Sequence, residues 1–188
     1  RDAAKQACVS ILNNCVTITE PAALNAVVVK GDISCFGANN GTISIVTPSG
    51  GYGTYQYTIN GGIDWFDSGN FSGLTPGTYN VQMRDKAQQA CVKILDGALV
   101  ISEPAILSAT VASTDVTCNG ANDGTITISG AAGGYGTYQY SINGGASWQG
   151  SGNYTNLSPG SYNVRIRDAA NIGCVIVLNP ALVISEPP

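Results

Sequence analysis

Leu74-Thr75-Pro76-Gly77-Thr78-Tyr79-Asn80-Val81 is the stretch that decides the fold. Its Pro-Gly pair makes a turn, and the alternating residues beyond it begin a strand. A Tyr at the mouth of such a strand closes its hydroxyl back on the backbone where a chain crosses between two sheets. The same eight positions return as Leu157-Ser158-Pro159-Gly160-Ser161-Tyr162-Asn163-Val164. Tyr79 and Tyr162 are therefore read as structural residues.

Outward from this stretch the whole chain repeats at a constant 83 residues, with Arg1-Asp2, Arg84-Asp85 and Arg167-Asp168 as one such series. Ala22–Pro104 and Ala105–Pro187 are identical at 48 of 83 positions without a gap. A constant, gapless period marks a tandem array whose units each fold as one piece. The chain divides into 1–21, the end of a preceding repeat, and two full modules, 22–104 and 105–188. Because it opens in mid-repeat, it is expected to be a portion of a longer polypeptide. An enzyme needs one asymmetric site, whereas an array serves length, multivalency or display, so no catalysis is expected.

Composition narrows the partners. Charged residues make up 11% of the chain, less than half the roughly 25% usual in soluble domains. The eight Lys and Arg are scattered and there is no His, which excludes the clustered positive charge that nucleic acid requires. No apolar run approaches the roughly 18 residues of a membrane span.

Short runs of Val, Ile, Tyr and Thr broken by Gly, Pro and Asn predict an all-β fold. Strands are expected near Leu24–Val29, Asp32–Cys35, Thr42–Thr47, Thr54–Ile59, Trp65–Phe66, Thr78–Arg84, Cys91–Leu95 and Leu99–Ser102, and again in the second unit. Asp96-Gly97 reads as a two-residue hairpin turn between the last two. Together these predict tandem immunoglobulin-like β-sandwich modules. The Glu103-Pro104 joint has no flexible stretch, and Pro104 holds it extended, so the array is expected to be elongated.

Cys35 and Cys91 stand 56 residues apart, as do Cys118 and Cys174. One pair in each small module predicts an intra-module disulfide, formed outside a reducing cytosol. Cys8 is left to pair with a cysteine of the preceding unit or with Cys15, whose places are taken by Ala98 and Ala181 in the other copies.

Several motifs suggest chemistry and are better explained by structure. Ser141-Ile142-Asn143-Gly144-Gly145-Ala146-Ser147-Trp148 resembles the Asp-box of sialidase-type propellers, but that motif is a hairpin turn over its Trp. Trp65 and Trp148 are accordingly read as structural. Tyr55 and Tyr57, with Tyr138 and Tyr140, alternate onto one sheet face, where they would stack on sugar rings if exposed and join the core if buried. The shared carboxylates Asp32/Asp115, Asp85/Asp168 and Glu103/Glu186 suit solvated or ion-paired roles rather than a catalytic pair. Asp115 and Asp123 are the candidates for a calcium ion at a module end. No cofactor is expected.

The order Cys-x-Gly-x-x-[Asn/Asp]-Gly-Thr-Ile, Gly-Gly-Tyr-Gly-Thr-Tyr, Leu-x-Pro-Gly-x-Tyr-Asn-Val, Arg-Asp, Cys and Ile-Ser-Glu-Pro-Ala resembles the SprB-type repeat of large Bacteroidetes surface adhesins. It spans Cys35–Ile43, Gly50–Gly62, Leu74–Val81 and Arg84–Ala105, and recurs from Cys118. A longer spacer before the second cysteine, Asp85–Cys91, and the extra Cys15 depart from the usual pattern. The resemblance implies extracellular display at the cell surface, type IX secretion, and a role in adhesion or gliding motility. The expected function is a non-catalytic structural segment, with neighbouring repeats as partners and surface polysaccharide or like subunits of a filament beside them. The alternatives are a carbohydrate-binding module or a self-assembling fibre subunit.

Overall fold

The computed structural model describes residues 18–188. The expectations for Cys8 and Cys15 lie outside the described residues. Among the described residues the fold is all-β, with no helix. The first unit carries β1 (Asn25–Gly31), β2 (Gly41–Ser49), β3 (Tyr55–Thr58), β4 (Asn70–Leu74), β5 (Gly77–Asp85) and β6 (Val92–Ile101). The second carries β7 (Ser108–Thr114), β8 (Gly124–Ala132), β9 (Tyr138–Ser141), β10 (Asn153–Leu157), β11 (Gly160–Asp168) and β12 (Val175–Ile184).

Each unit holds two three-stranded antiparallel sheets, ordered β1-β2-β4 and β3-β5-β6 in the first, β7-β8-β10 and β9-β11-β12 in the second. Alternation along the strands decides which face turns inward. Gly41, Ile43 and Ile45 of β2 are buried, and so are Val81, Met83 and Asp85 of β5. The first core gathers Leu24, Ile33, Ile43, Ile45, Tyr57, Val81, Met83 and Ile101 from both sheets. The second gathers the corresponding positions, and the one residue it takes from the first unit is Cys35.

Three expectations about elements are corrected. Asp96-Gly97 is not a hairpin turn: β6 runs unbroken past it, and both halves pair with β5, Tyr79 opposite Leu99 and Gln82 opposite Ile94. The extra residues form a β-bulge, in which the Ala98 amide donates to Asp96 Oδ1. A bulge leaves residues unpaired, so Pro180 fits the equivalent place in β12. Asp32–Cys35 is loop rather than strand, and the Trp65–Phe66 pair contributes an isolated bridge from Phe66 to Tyr57. Asn70–Leu74 is a strand that its Asn, Ser and Gly residues conceal, since none of them favours extended structure.

Candidate functional site

The most elaborated place in the molecule is the joint where the first unit ends and the second begins. On the first unit's side a projecting loop, residues 32–40, is held by polar side chains. Asp32 Oδ1 accepts from the Ser102 amide at 2.8 Å, and Lys30 Nζ donates to the same carboxylate at 3.0 Å. Asn40 closes the loop, its Oδ1 accepting from the Ser34 amide at 3.0 Å and its Nδ2 donating to Ser34 Oγ at 2.7 Å. Glu103, expected to be solvated or ion-paired, instead accepts from the Gly37 amide at 2.8 Å. The carboxylate of the Glu-Pro joint thus fixes the tip of the loop, while Pro104 carries the chain into the next unit.

On the second unit's side a socket is built by Pro104–Leu107, the Gly133–Tyr135 turn and the segment from Asp168 to Ile176. Asp168 is fully buried and accepts from the amides of Tyr135, Ala170 and Asn171. Asp85 does the same in the first unit, accepting from Tyr52, Ala87 and Gln88. This corrects the expectation that these aspartates are solvated or ion-paired: each is the hub that ties the glycine turn to the cysteine segment. The Tyr52 amide, opposed by desolvation and helped by the Ala87 and Gln88 amides, holds the Asp85 carboxyl below the usual carboxylate range.

Loop and socket meet through one covalent bond and two hydrogen bonds. Cys35 is disulfide-bonded to Cys174, with Cα atoms 5.4 Å apart. Tyr135 Oη donates to the Ile33 carbonyl at 3.3 Å, and Asn171 Nδ2 donates to the Ser34 carbonyl at 3.0 Å. Phe36, still exposed to solvent, lines an apolar recess together with Ile106, Leu107, Val175 and Ile176.

The expected pairings Cys35–Cys91 and Cys118–Cys174 are therefore corrected: the bond crosses between units, and among the described residues Cys91 and Cys118 are free and exposed. The reason is length. Within one unit, β5 and β6 run from the Arg84–Val92 pair at the Cys91 end to the Gly77–Ile101 pair at the other, where the Cys35 loop hangs from Ser102. Seven residues of strand span roughly 24 Å, whereas a disulfide needs Cα atoms within about 7 Å. The two cysteines of a unit sit at opposite ends.

The remaining candidates have local roles. Tyr79 Oη donates to the Thr75 carbonyl and Tyr162 Oη to the Ser158 carbonyl, both at 2.8 Å. Trp65 Nε1 donates to the Gly62 carbonyl and Trp148 Nε1 to the Gly145 carbonyl, each closing its hairpin. The Arg84 and Arg167 guanidinium groups stack over these rings at 4.4 Å, a contact that the sequence does not announce. Tyr57 and Tyr140 are buried in the cores, and burial pushes both hydroxyls up. Tyr55 and Tyr138 pack against those cores and donate to the Gly50 and Gly133 carbonyls at 2.9 Å. Of the two outcomes open for these four tyrosines, the structure has the core placement, and Tyr55 and Tyr138 also brace the glycine turn behind the socket.

Asp115 accepts from the Ser185 amide, which lowers its pKa, and Asp123 accepts from the Thr117 hydroxyl and amide, which lowers its own. Among the described residues no cluster of three or more His, Cys, Asp or Glu could hold a metal ion. No described helix is long and apolar enough to cross a membrane.

Neither a curated protein nor a solved structure matches the chain. The family model of the SprB repeat matches it twice, at residues 27–63 and 110–147, each time taking in the projecting loop, the glycine turn and the Trp hairpin's start. The two matched segments begin at equivalent positions of the two units and agree with the resemblance to the SprB-type repeat read from the sequence.

Proposed function

We propose that this chain is a non-catalytic structural segment of an extracellular cell-surface adhesin or filament, made of immunoglobulin-like sandwich modules set end to end at an 83-residue period. The observation that carries this reading is the disulfide between Cys35 and Cys174, which binds one module to the next. Such a bond suits a protein that transmits tension along its length, and it needs an oxidising compartment. The resemblance to surface adhesins adds display through the type IX route and a part in gliding motility. The polar groups of the joint are occupied with one another, which leaves neighbouring repeats as the partners best supported.

Two measurements on the parent cell test the reading. Antibody raised against the chain should label intact, unpermeabilised cells, and deleting these repeats from the parent gene should reduce attachment or gliding at least several-fold. Labelling that appears only after permeabilisation, or attachment that survives the deletion unchanged, would overturn it.

A further inference from the structure

The joint between the two units has a socket on one side and a loop on the other, and both parts occur a second time with no partner among the described residues. The first unit carries its own socket, lined by Pro21, Leu24, Gly51, Tyr52, Cys91 and Lys93, the counterparts of Pro104, Leu107, Gly134, Tyr135, Cys174 and Ile176. The second unit carries its own loop, in which Cys118 and Asn119 stand where Cys35 and Phe36 stand in the first.

Both open halves already have the shape of the closed ones. In the free loop the Ala121 amide donates to the Cys118 carbonyl at 3.0 Å, as Ala38 does to Cys35 at 3.0 Å. The Gly120 amide donates to Glu186 as Gly37 does to Glu103. In the free socket the Gly51 amide donates to the Ala22 carbonyl at 2.8 Å, matching Gly134 and Ala105 at 2.8 Å. The Cys91 amide donates to Gln88 as Cys174 does to Asn171. What differs is cover: Cys174 is 7% exposed, whereas Cys91 and Cys118 are open to solvent.

We infer that Cys91 and Cys118 are the two halves of further joints of the same kind, each completed by another unit of this repeat in series. The first cysteine of every unit then bonds the second cysteine of the unit that follows, and no unit closes a loop on itself. Side-chain chemistry supports the same match. The closed joint is apolar at Ile106 and Ile176, and Phe36 lines the same recess. The open socket has Ala23 and Lys93 at those places, and the open loop presents Asn119. A unit of the first kind following the second would thus set a polar tip on a polar rim. Tyr52 and Gln88 would donate to the Val116 and Thr117 carbonyls as Tyr135 and Asn171 do to Ile33 and Ser34.

The bond forms by thiol–disulfide exchange with a low-molecular-weight disulfide such as oxidised glutathione. The Cys118 thiolate attacks one of its sulfurs, which breaks the reagent's S–S bond and releases one thiolate. The incoming unit's Cys91 thiolate then attacks the Cys118 sulfur and expels the second. Two protein thiols are oxidised, the glutathione disulfide is reduced to two thiols, and these take up the two protons. The inference rests on the geometry of the joint and holds whatever the array adheres to.

The test is the full chain extended by a further copy of residues 22–104 placed after Pro187, so that Glu186-Pro187-Ala22 repeats Glu103-Pro104-Ala105. It is oxidised with glutathione, digested without reduction and mapped by mass spectrometry. The expected products are the Cys35–Cys174 peptide and, in comparable yield, a peptide joining Cys118 to the added copy's Cys91. The same product should vanish in Cys118→Ser, while Cys35–Cys174 persists as the internal sign of a folded chain. Cys35–Cys174 formed with Cys118 and the added Cys91 both alkylated would overturn the inference. So would cysteines paired within one unit, or a failure of Cys35–Cys174 itself.

Discussion

At the scale of single residues, two carboxylates and one hydroxyl show how a small module manages buried polarity. Asp85 and Asp168 are buried without a cation because each carboxylate faces three backbone amides, and that arrangement satisfies the charge as well as a salt bridge would. Folding lowers the carboxyl pKa of Asp32, Asp85, Asp115 and Asp123, in each case chiefly through hydrogen bonds to the ionised form. Their stabilisation is therefore fully present above the unfolded value near about 4 and is lost as pH falls through the folded values. Urea midpoints should be flat from about pH 7 down to about pH 5 and drop steeply below about pH 4; a midpoint unchanged at about pH 2 would contradict this. Tyr154 presents the opposite case. Its hydroxyl is buried with no partner among the described residues, burial raises its pKa, and the matching position in the first unit is Phe71. Tyr154→Phe removes an unsatisfied group and keeps the ring, so it should stabilise the protein by about 1 kcal/mol in urea denaturation.

At the scale of elements, legibility followed the side-chain period. Thr42–Ile45 alternates, and the structure buries Ile43 and Ile45 while Thr42 faces outward. The β6 bulge misled because Asp-Gly is equally at home in a hairpin turn and in a bulge. What separates them is the length of the neighbouring strand: β5 has nine residues, enough to pair with both halves of β6. Asn179-Pro180 in the last copy was the readable sign, since Pro suits a bulge better than a two-residue hairpin. The glycine turn behind the socket depends on backbone space. At Gly133 φ is +84°, and a Cβ would lie 2.0 Å from the Ile106 carbonyl oxygen, in the strand-entry segment after Pro104. Gly133→Ala cannot be absorbed by a flexible side chain and should cost about 2 kcal/mol or more. Because the damage falls at the socket, Cys35–Cys174 should also reduce faster in that variant; an unchanged reduction rate would show the turn and the joint to be independent.

At the scale of the whole molecule, the pairing of the cysteines is the point where sequence alone is degenerate. In a tandem array the spacing of 56 from Cys35 to Cys91 and the spacing of 139 from Cys35 to Cys174 differ by one repeat, so counting cannot choose between closure within a unit and a bridge to the next. Strand length chooses, because it puts the two cysteines of one unit at opposite ends. The consequence concerns what each unit owes to its neighbour. The two cores share no buried residue, and Cys35 is the one side chain of the first unit that packs against the second core. Reduction should accordingly leave the strand signal in far-ultraviolet circular dichroism intact under native conditions. The joint would then hang on the Glu103-Pro104 link and two hydrogen bonds, so small-angle scattering should show a broader range of inter-unit angles. Denaturation should respond more strongly, since a bridge 139 residues apart restricts the unfolded chain by about 5 kcal/mol in the chain-entropy model. The reduced protein should unfold at lower urea, and its two units should come apart in separate transitions. If reduction instead abolished the strand signal of both units without denaturant, the modules would not be self-sufficient, and the bridge would be a condition of folding rather than a lock between folded parts.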